Sequence, residues 1–460
     1  MKSSVCIAMI LAGGRGERLG SLTTDFAKPL VSFGGGYHMI DFALSNCAHS
    51  GIGAIGVLTQ YLSAEVHEYV NSIEVFGQCS DKGIFMRPSG ADRGRYEGTA
   101  DAVFQNIDFI DRFNPEHVLI LSADHIYKMD YRKLLDFHRR AGADITIAAA
   151  RVPWSETSQF GILEADASGK VRTFHEKPRG AVASNLASMG VYMFSWKELR
   201  KNLIADNSDS VSRHDFGKDI IPAALSGGGA LYAYPFDGYW RDVGTIDNLW
   251  RANMDLLSDP PKFSLADETW RIYTGGRHPT PSYVSARAHV DGSLIGGGCS
   301  IFGRVRHSII SDACVIREGA EVVDSVIMPH AYIGKGVRVH RAVVGPYAGV
   351  MDGVTIMENP VAGFGGGAAA KAACAAVGYG GAVGFGAVGD LGRSGDLTGA
   401  GDLVSLISPA RMRGAAGLVG AAGLVGADPA DPVGAGLGCV AGLRGAAGLV
   451  ADPARTGAGL

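Results

Sequence analysis

The 460-residue chain has no dominant charge sign. Its 42 Lys and Arg stand against 46 Asp and Glu, a net charge of −4. That balance gives no electrostatic reason to expect nucleic acid or an anionic membrane as partner. Paired cysteines are also lacking. Cys6, Cys47, Cys79, Cys299, Cys314, Cys374 and Cys439 include no Cys-x-x-Cys, and no His/Cys cluster has zinc-ligand spacing. An odd, scattered set reads as free thiols in a reducing cytoplasm. A secretory leader is not expected, because the apolar run 5–12 leads into Gly13-Gly14-Arg15-Gly16 and not into a small-residue cleavage site. No strongly apolar run reaches membrane length. The one uncharged stretch of that size, 372–389, is mostly Gly and Ala, with little of the Leu, Ile or Phe that drives insertion.

What is abundant is glycine, 66 residues, about twice the usual ~7%. The chain changes texture twice. Residues 1–255 alternate short apolar runs (5–11, 55–58, 117–121, 145–149, 191–194) with helically spaced segments (41–46, 100–109, 131–140). That alternation predicts an α/β domain with a mostly parallel sheet between helices. A linker at 256–281 follows. Across 282–358 a small apolar residue recurs about every six positions: Val284, Val290, Ile295, Ile301, then Ile310, Val315, Val322, Ile327, Ile333, Val337, Val339, Val344, Val350 and Ile356. A six-residue step predicts a parallel β-helix, whose coils bury their apolar faces only by stacking. In 361–460, 27 residues are Gly and 25 are Ala, with no Glu, no His and one Lys, Lys371. So few large side chains cannot offset the entropy of ordering that backbone, so the tail is expected to be disordered. It breaks off the repeat abruptly after Pro360 and reads as a low-complexity or out-of-frame continuation.

The strongest local motif is Leu11-Ala12-Gly13-Gly14-Arg15-Gly16-Glu17-Arg18-Leu19, directly after the first apolar run. Its glycines allow backbone N–H groups to approach and cradle a phosphate, and Arg18 and Lys28 add cations. It is not a Walker A loop, which needs Gly-Lys-Ser/Thr. The alternative for the loop by itself is a plain strand–helix turn carrying surface arginines. Asp124 closes the run 118–121, at the carboxyl edge where open α/β sheets bind ligands; such an Asp also serves as a helix cap.

Further motifs narrow the reading. They are Ala27-Lys28-Pro29, Ile40-Asp41-Phe42-Ala43-Leu44-Ser45-Asn46-Cys47, Gly98-Thr99-Ala100-Asp101-Ala102, Asp124-His125-Ile126-Tyr127-Lys128, Phe174-His175-Glu176-Lys177-Pro178, Leu186-Ala187-Ser188-Met189-Gly190, His214-Asp215-Phe216-Gly217-Lys218-Asp219 and Tyr239-Trp240-Arg241-Asp242-Val243-Gly244-Thr245. Together with the glycine loop, the chain over 5–358 resembles the bacterial glucose-1-phosphate adenylyltransferases (ADP-glucose pyrophosphorylases), closest to the Firmicute-type catalytic subunit. The resemblance implies a Rossmann-like nucleotidyltransferase domain followed by a left-handed parallel β-helix of hexapeptide repeats. It implies transfer of AMP from ATP to α-D-glucose 1-phosphate, giving ADP-glucose and diphosphate for glycogen synthesis, with Mg²⁺ as cofactor.

Carried over by matching positions, the resemblance implies Asp124 and Asp242 as metal ligands and Arg18, Lys28 and Asp124 as the catalytic set. Gly13, Gly14, Gly16, Gln60, Gly98 and Thr99 are implied for ATP, with Gln60 on the adenine. Tyr96, Gly161, Glu176, Lys177 and Ser188 are implied for glucose 1-phosphate. His214 and Asp215 are read as structural, since an ionised phosphate needs no general base. It also implies a cytoplasmic homotetramer, or a heterotetramer with a regulatory paralogue. Two departures stand out. Where members activated by phosphorylated sugars carry basic residues, this chain has Asp25, Phe26, Ser32, Gly36 and His38, so weak or absent activation is expected. Ala123 replaces the usual Gly before the metal-binding Asp.

Three other functions fit parts of the pattern. A sugar nucleotidyltransferase using UTP, dTTP or GTP shares the glycine loop and Lys-Pro but not the Asp-His-Ile-Tyr-Lys and His-Asp-Phe-Gly-Lys-Asp blocks. An acyltransferase needs a placed His base, and His289, His307, His330 and His340 lie in no such motif. A non-catalytic regulatory paralogue would lack the metal aspartate or the phosphate-binding lysines, whereas Arg18, Lys28, Asp124, Lys177 and Asp242 are all present.

Overall fold

The computed structural model describes residues 5–73, 83–90, 94–275 and 280–357. The Gly/Ala-rich segment 361–460, read above as disordered, lies outside the described residues. Strands β1 (Cys6–Leu11), β2 (Ala54–Thr59), β3 (Gly83–Pro88) and β4 (His117–Ser122) pair in parallel in the order β3-β2-β1-β4. The interiors of β1, β2 and β4 are buried on both faces. That double burial is why their sequences run continuously apolar. The short β5 (His125–Tyr127) leaves the sheet, and β6 (Ile145–Arg151) rejoins it. A hairpin, β7 (Gly161–Ala165) and β8 (Val171–Glu176), leans on the start of β9 (Leu186–Ser195). β9 is inserted antiparallel between β4 and β6, and β10 (Leu231–Pro235) closes the edge parallel to β6. β11 (Trp240–Asp242) pairs with β5 outside the main sheet. This is the Rossmann-like architecture, with an antiparallel strand set into a parallel core.

Among the described residues α1 (Met39–His49), α2 (Ser63–Asn71), α3 (Thr99–Phe104), α4 (Ile107–Phe113), α5 (Tyr131–Ala141), α6 (Trp196–Asn207) and α7 (Ile221–Ser226) pack around the sheet, and α8 (Ile246–Asp255) packs at the junction with the following repeat region. The helix expected across 100–109 is two helices, broken at Asn106. Its side chain donates to Ala102 O (2.8 Å) and Tyr96 Oη (3.0 Å) and accepts from Arg87 Nε (2.7 Å). A short amide side chain tied to nearby groups in this way competes with helix continuation.

Residues 283–357 form three parallel sheets of five, five and four short strands, a stacked β-helix. Ile310, Ile316, Val322, Ile327, Ile333, Val339 and Val344 fill its axis. Two details differ from the six-residue expectation. Ile316, not Val315, points inward. The coil is also shorter than eighteen residues: Val315 pairs with Tyr332 and Tyr332 with Gly349, each 17 apart, and Ser300 with Val315, 15 apart. The reason lies at the corners. His307, Asp324 and Arg341 take left-handed backbone at φ 45, 48 and 50, and each tightens one corner by a residue, which gives the 17-residue step; the 15-residue step loses two more between the inward-facing Ile301 and Val305. A second apolar column, Ile309, Val326 and Val343, faces outward into a cluster with Leu19, Phe33, Phe42 and Leu249 of the α/β domain. Trp250 Nε1 donates to Asp324 O at 2.8 Å across the same junction. Among the described residues no helix is long and apolar enough to cross a membrane.

Candidate active site

Two cavities open at the carboxyl edge of the sheet. The first, about 490 Å³, is lined by Gly13, Gly14, Lys28, Gln60, Tyr96, Gly98, Thr99, Ser122, Asp124 and neighbours. The second, about 750 Å³, is lined by Glu176, Lys177, Arg179, Gly217 and others. Arg213 and Lys218 line both.

The glycine loop joins β1 to the floor of the first cavity. Gly16 has φ 73, and a Cβ there would come within 3.1 Å of Lys28 Cβ and 2.9 Å of Thr23 Cγ2. Glycine therefore lets the loop close on the Ala27-Lys28-Pro29 turn, and Lys28 Nζ pairs with Asp124 Oδ2. Ser122 Oγ donates to the other oxygen, Asp124 Oδ1. Burial pushes the Asp124 carboxyl up, but the Lys28 ammonium, His125 and these hydrogen bonds outweigh it. They hold the group well below the usual carboxylate range.

Asp124 and Asp242 are far apart in sequence, and one strand pairing brings them together. β5 and β11 are antiparallel with Asp242 opposite His125, the residue after Asp124. Ligand atoms of Asp124, His125 and Asp242 all lie within 4.8 Å of one another. Asp242 Oδ1 accepts from Gly244 N at 2.8 Å. Arg18 flanks this group, because a Cβ on Gly244 would meet its Nη2 at 2.7 Å. Two carboxylates with an imidazole beside them make an oxygen-dominated donor set that suits a hard divalent cation. His125 Nδ1 is buried with no hydrogen-bond partner among the described residues, so the imidazole retains an uncommitted nitrogen.

The β7–β8 pairing sets Glu176 opposite Gly161. Its carboxylate is wedged between two glycines: a Cβ on Gly161 or Gly217 would stand 2.8 or 2.7 Å from Glu176 Oε2. Burial raises the Glu176 pKa, with Lys177 opposing. Lys177 has left-handed backbone, φ 47, and its Nζ lies 3.9 Å from Glu176 Oε1, half exposed in the second cavity. A strained non-glycine residue in a pocket is a pointer to function.

Other sequence-predicted residues fall differently. Gln60 makes a reciprocal pair with the Tyr96 backbone, accepting from N at 2.6 Å and donating to O at 3.3 Å, which leaves one N–H and one lone pair for a ligand. Tyr96 lines the first cavity, with its phenol donating to Arg87 O at 2.9 Å. The Thr99 hydroxyl donates to Asp215 Oδ2 (3.1 Å) and accepts from Phe216 N (3.0 Å). Gly161 and Ser188 line neither cavity. Ser188 is buried in β9 with its Oγ donating to Tyr192 Oη at 3.2 Å. His214 Nδ1 is 2.8 Å from Asp206 Oδ2, and this hydrogen bond raises its pKa. Asp215 Oδ1 caps Gly217 N and Lys218 N at 3.0 Å each. The sequence reading missed Arg213 and Lys218. Lys218 lies in the His214–Asp219 motif, of which only His and Asp drew a reading, and Arg213 directly precedes that motif.

Residues 7–259 match the family described as nucleotidyl transferase, and residues 281–363 that described as GlmU-like, C-terminal hexapeptide. The chain is 47% identical over 340 residues to a curated glucose-1-phosphate adenylyltransferase of Bacillus cytotoxicus, covering 72% of this chain and 89% of that protein. Proteins of the same name from Bacillus mycoides and Bacillus anthracis are each 47% identical over 334 residues, 71% of this chain and 88% of theirs.

Proposed function

The chain belongs to the nucleotidyl transferase family, among its glucose-1-phosphate adenylyltransferases, and on that premise we propose that it joins ATP and α-D-glucose 1-phosphate into ADP-glucose and diphosphate, the glucosyl donor for glycogen synthesis. A phosphate oxygen of the sugar attacks the α-phosphorus in line, and the bond to the β-phosphate breaks. The nucleophile is already ionised, so no side chain need abstract a proton. The difficulty is to hold two polyanions together in reacting geometry.

The observation that carries the reading is the convergence of Asp124, His125 and Asp242 beside two adjoining cavities, one floored by the glycine loop and one by Glu176 and Lys177. In this reading Gly13 and Gly14 offer backbone N–H groups to the nucleotide phosphates. Lys28 and Arg18 face the diphosphate that leaves. Gly98, Thr99 and the free valences of Gln60 border the nucleoside. Lys177 holds the sugar phosphate, and Glu176, fixed between two glycines, accepts from sugar hydroxyls. Asp124 and Asp242 would hold Mg²⁺, which neutralises phosphate charge when bound. Gly161 serves by making room for Glu176, and Ser188 by holding Tyr192, so both support the sugar cavity through a neighbour.

Diphosphate release from ATP and glucose 1-phosphate in the presence of Mg²⁺ tests the proposal, with UTP, dTTP and GTP run in parallel. Turnover at least tenfold higher with ATP is expected. Preference for another nucleotide, or no sugar-dependent release, would overturn it.

A further inference from the structure

The wall between the two cavities is the place where a nucleotide and a sugar phosphate must meet, and Arg213 stands on it together with Lys218. The backbone there is fixed with unusual care. His214 adopts left-handed φ 53, and a π-helical turn, Phe216–Ile220, follows. Such turns are rare and occur often at functional sites. His214 is tied through Nδ1 to Asp206, and His214 O accepts from Ala100 N at 2.7 Å. On the other side Arg213 O presses on Gly98, where a Cβ would stand 2.5 Å away. A non-glycine residue keeps left-handed backbone only where its surroundings over-determine it. From this arm the exposed Arg213 lines both cavities.

Arg213 has no acidic partner among the described residues, and the nearby acids are engaged. Glu97 lies 3.8 Å from His214 Nε2. Asp215 caps the π turn, Asp219 accepts from Asp215 N at 2.9 Å, and Glu176 is turned toward Lys177. An uncompensated guanidinium at a cavity mouth is suited to an anion brought from outside. Its planar fork matches two phosphate oxygens at once.

We propose that Arg213 is a substrate-binding residue, closing on phosphate oxygens at the junction of the two cavities and so acting on both reactants. The inference rests on the site's reading as one that joins a nucleotide to a sugar phosphate. Its consequence is specific: losing the guanidinium should weaken ATP and glucose 1-phosphate together, whereas losing Lys177 should fall mainly on the sugar.

The test compares Arg213→Ala and Arg213→Lys with the parent chain. In Arg213→Ala, kcat/KM should fall about 10- to 100-fold for both substrates, Arg213→Lys should recover part of the loss, and the melting temperature should stay within 2 °C because the side chain is exposed. Values within twofold of the parent for both substrates would overturn the proposal. A loss that Lys fails to rescue, accompanied by a lower melting temperature, would also overturn it and assign Arg213 a structural role. Calorimetric binding of inorganic diphosphate separates this claim from the activity itself. If the parent chain proved inactive with ATP and glucose 1-phosphate, at least fivefold weaker diphosphate binding by Arg213→Ala would still support the arginine. Equal binding would refute it.

Discussion

Gly98→Ala is the sharpest test of how the first cavity is held open. A Cβ at this position would meet Arg213 O at 2.5 Å and His214 C at 2.7 Å, with His214 O nearer still. These are backbone atoms of a segment already fixed by Asp206, Ala100 and Thr99, so they cannot yield as the tip of a flexible side chain can. Ordinary contact needs about 3.4 Å or more, so the arm must retreat by about 1 Å or the start of α3 must move as far. A displacement of ~1 Å in a group that positions reactants costs about 10²-fold in rate, and a forced overpacking costs about 1–3 kcal/mol of stability. The expected outcome is a fall of about 100-fold in kcat/KM in the diphosphate-release assay, with a melting temperature lowered by a few degrees. Gly349→Ala is the control. Its Cβ meets nothing within 4 Å, and both activity and melting temperature should match the parent. A Gly98→Ala enzyme with parental kcat/KM would show that the 213–218 arm does not set the cavity, and the argument from its strain would fall with it.

Asp124→Asn and Asp242→Asn should each lower turnover by about 10²–10³-fold, the scale of losing one charged transition-state partner. Only Asp124→Asn should also destabilise the fold, because it strands the nearly buried Lys28 ammonium; breaking such a pair costs about 3–5 kcal/mol, and chemical denaturation would read it. His138 is buried, with Nδ1 2.8 Å from Thr146 Oγ1, and burial, with His117 and Arg139 adding, brings its pKa down to about 4. Its unfolded value is ~6.5, so the unfolded chain binds the extra proton between those limits. Stability is fully present above about pH 6.5 and should decline by about 3 kcal/mol as pH falls toward 4. His138→Gln should flatten that decline, and an identical pH profile for the variant would contradict the assignment. Fructose 1,6-bisphosphate should change activity little, because Phe26 lies parallel to Tyr347 at 6.2 Å and Tyr347 stacks on His330 at 4.7 Å, so an aromatic column occupies the junction where cations would be needed. A tenfold activation would refute this.

Much of the fold was legible because its signals are local. Apolar runs marked β1, β2, β4 and β6, since a strand buried on both faces must be continuously apolar. β7, β8 and β10 were not marked, because each alternates or is short and carries polar residues on its open face. The β-helix announced itself by its repeat, but its true coil length did not. Left-handed backbone at His307, Asp324 and Arg341 shortens a corner without leaving a glycine to betray it. The outward column Ile309, Val326 and Val343 was hidden for a related reason. Beside inward-facing Ile310, Ile327 and Val344 it reads as a doubled apolar position, and only the docked α/β domain gives it a purpose.

The site divides along the same line, between chemistry stated within one segment and chemistry made by pairing two. Motifs named Asp124 and Asp242, but their meeting depends on the register that sets Asp242 across from His125, and no spacing in the sequence encodes that. His125 therefore entered the group only through the fold. Thr99, Gly98, His214 and Asp215 show the converse. Gly98 and Thr99 sit in a motif that implies contact with a ligand, and besides lining the cavity they pack on His214 and Asp215, read from the sequence as structural, so that the four together hold a strained arm in place. The residue that arm delivers, Arg213, belongs to no glycine loop, carboxylate pair or lysine motif. A cation whose surrounding acids are all otherwise engaged is recognisable only once those engagements are seen, which makes local charge imbalance at a shared cavity wall a better guide to the unassigned part of this site than any single motif in its sequence.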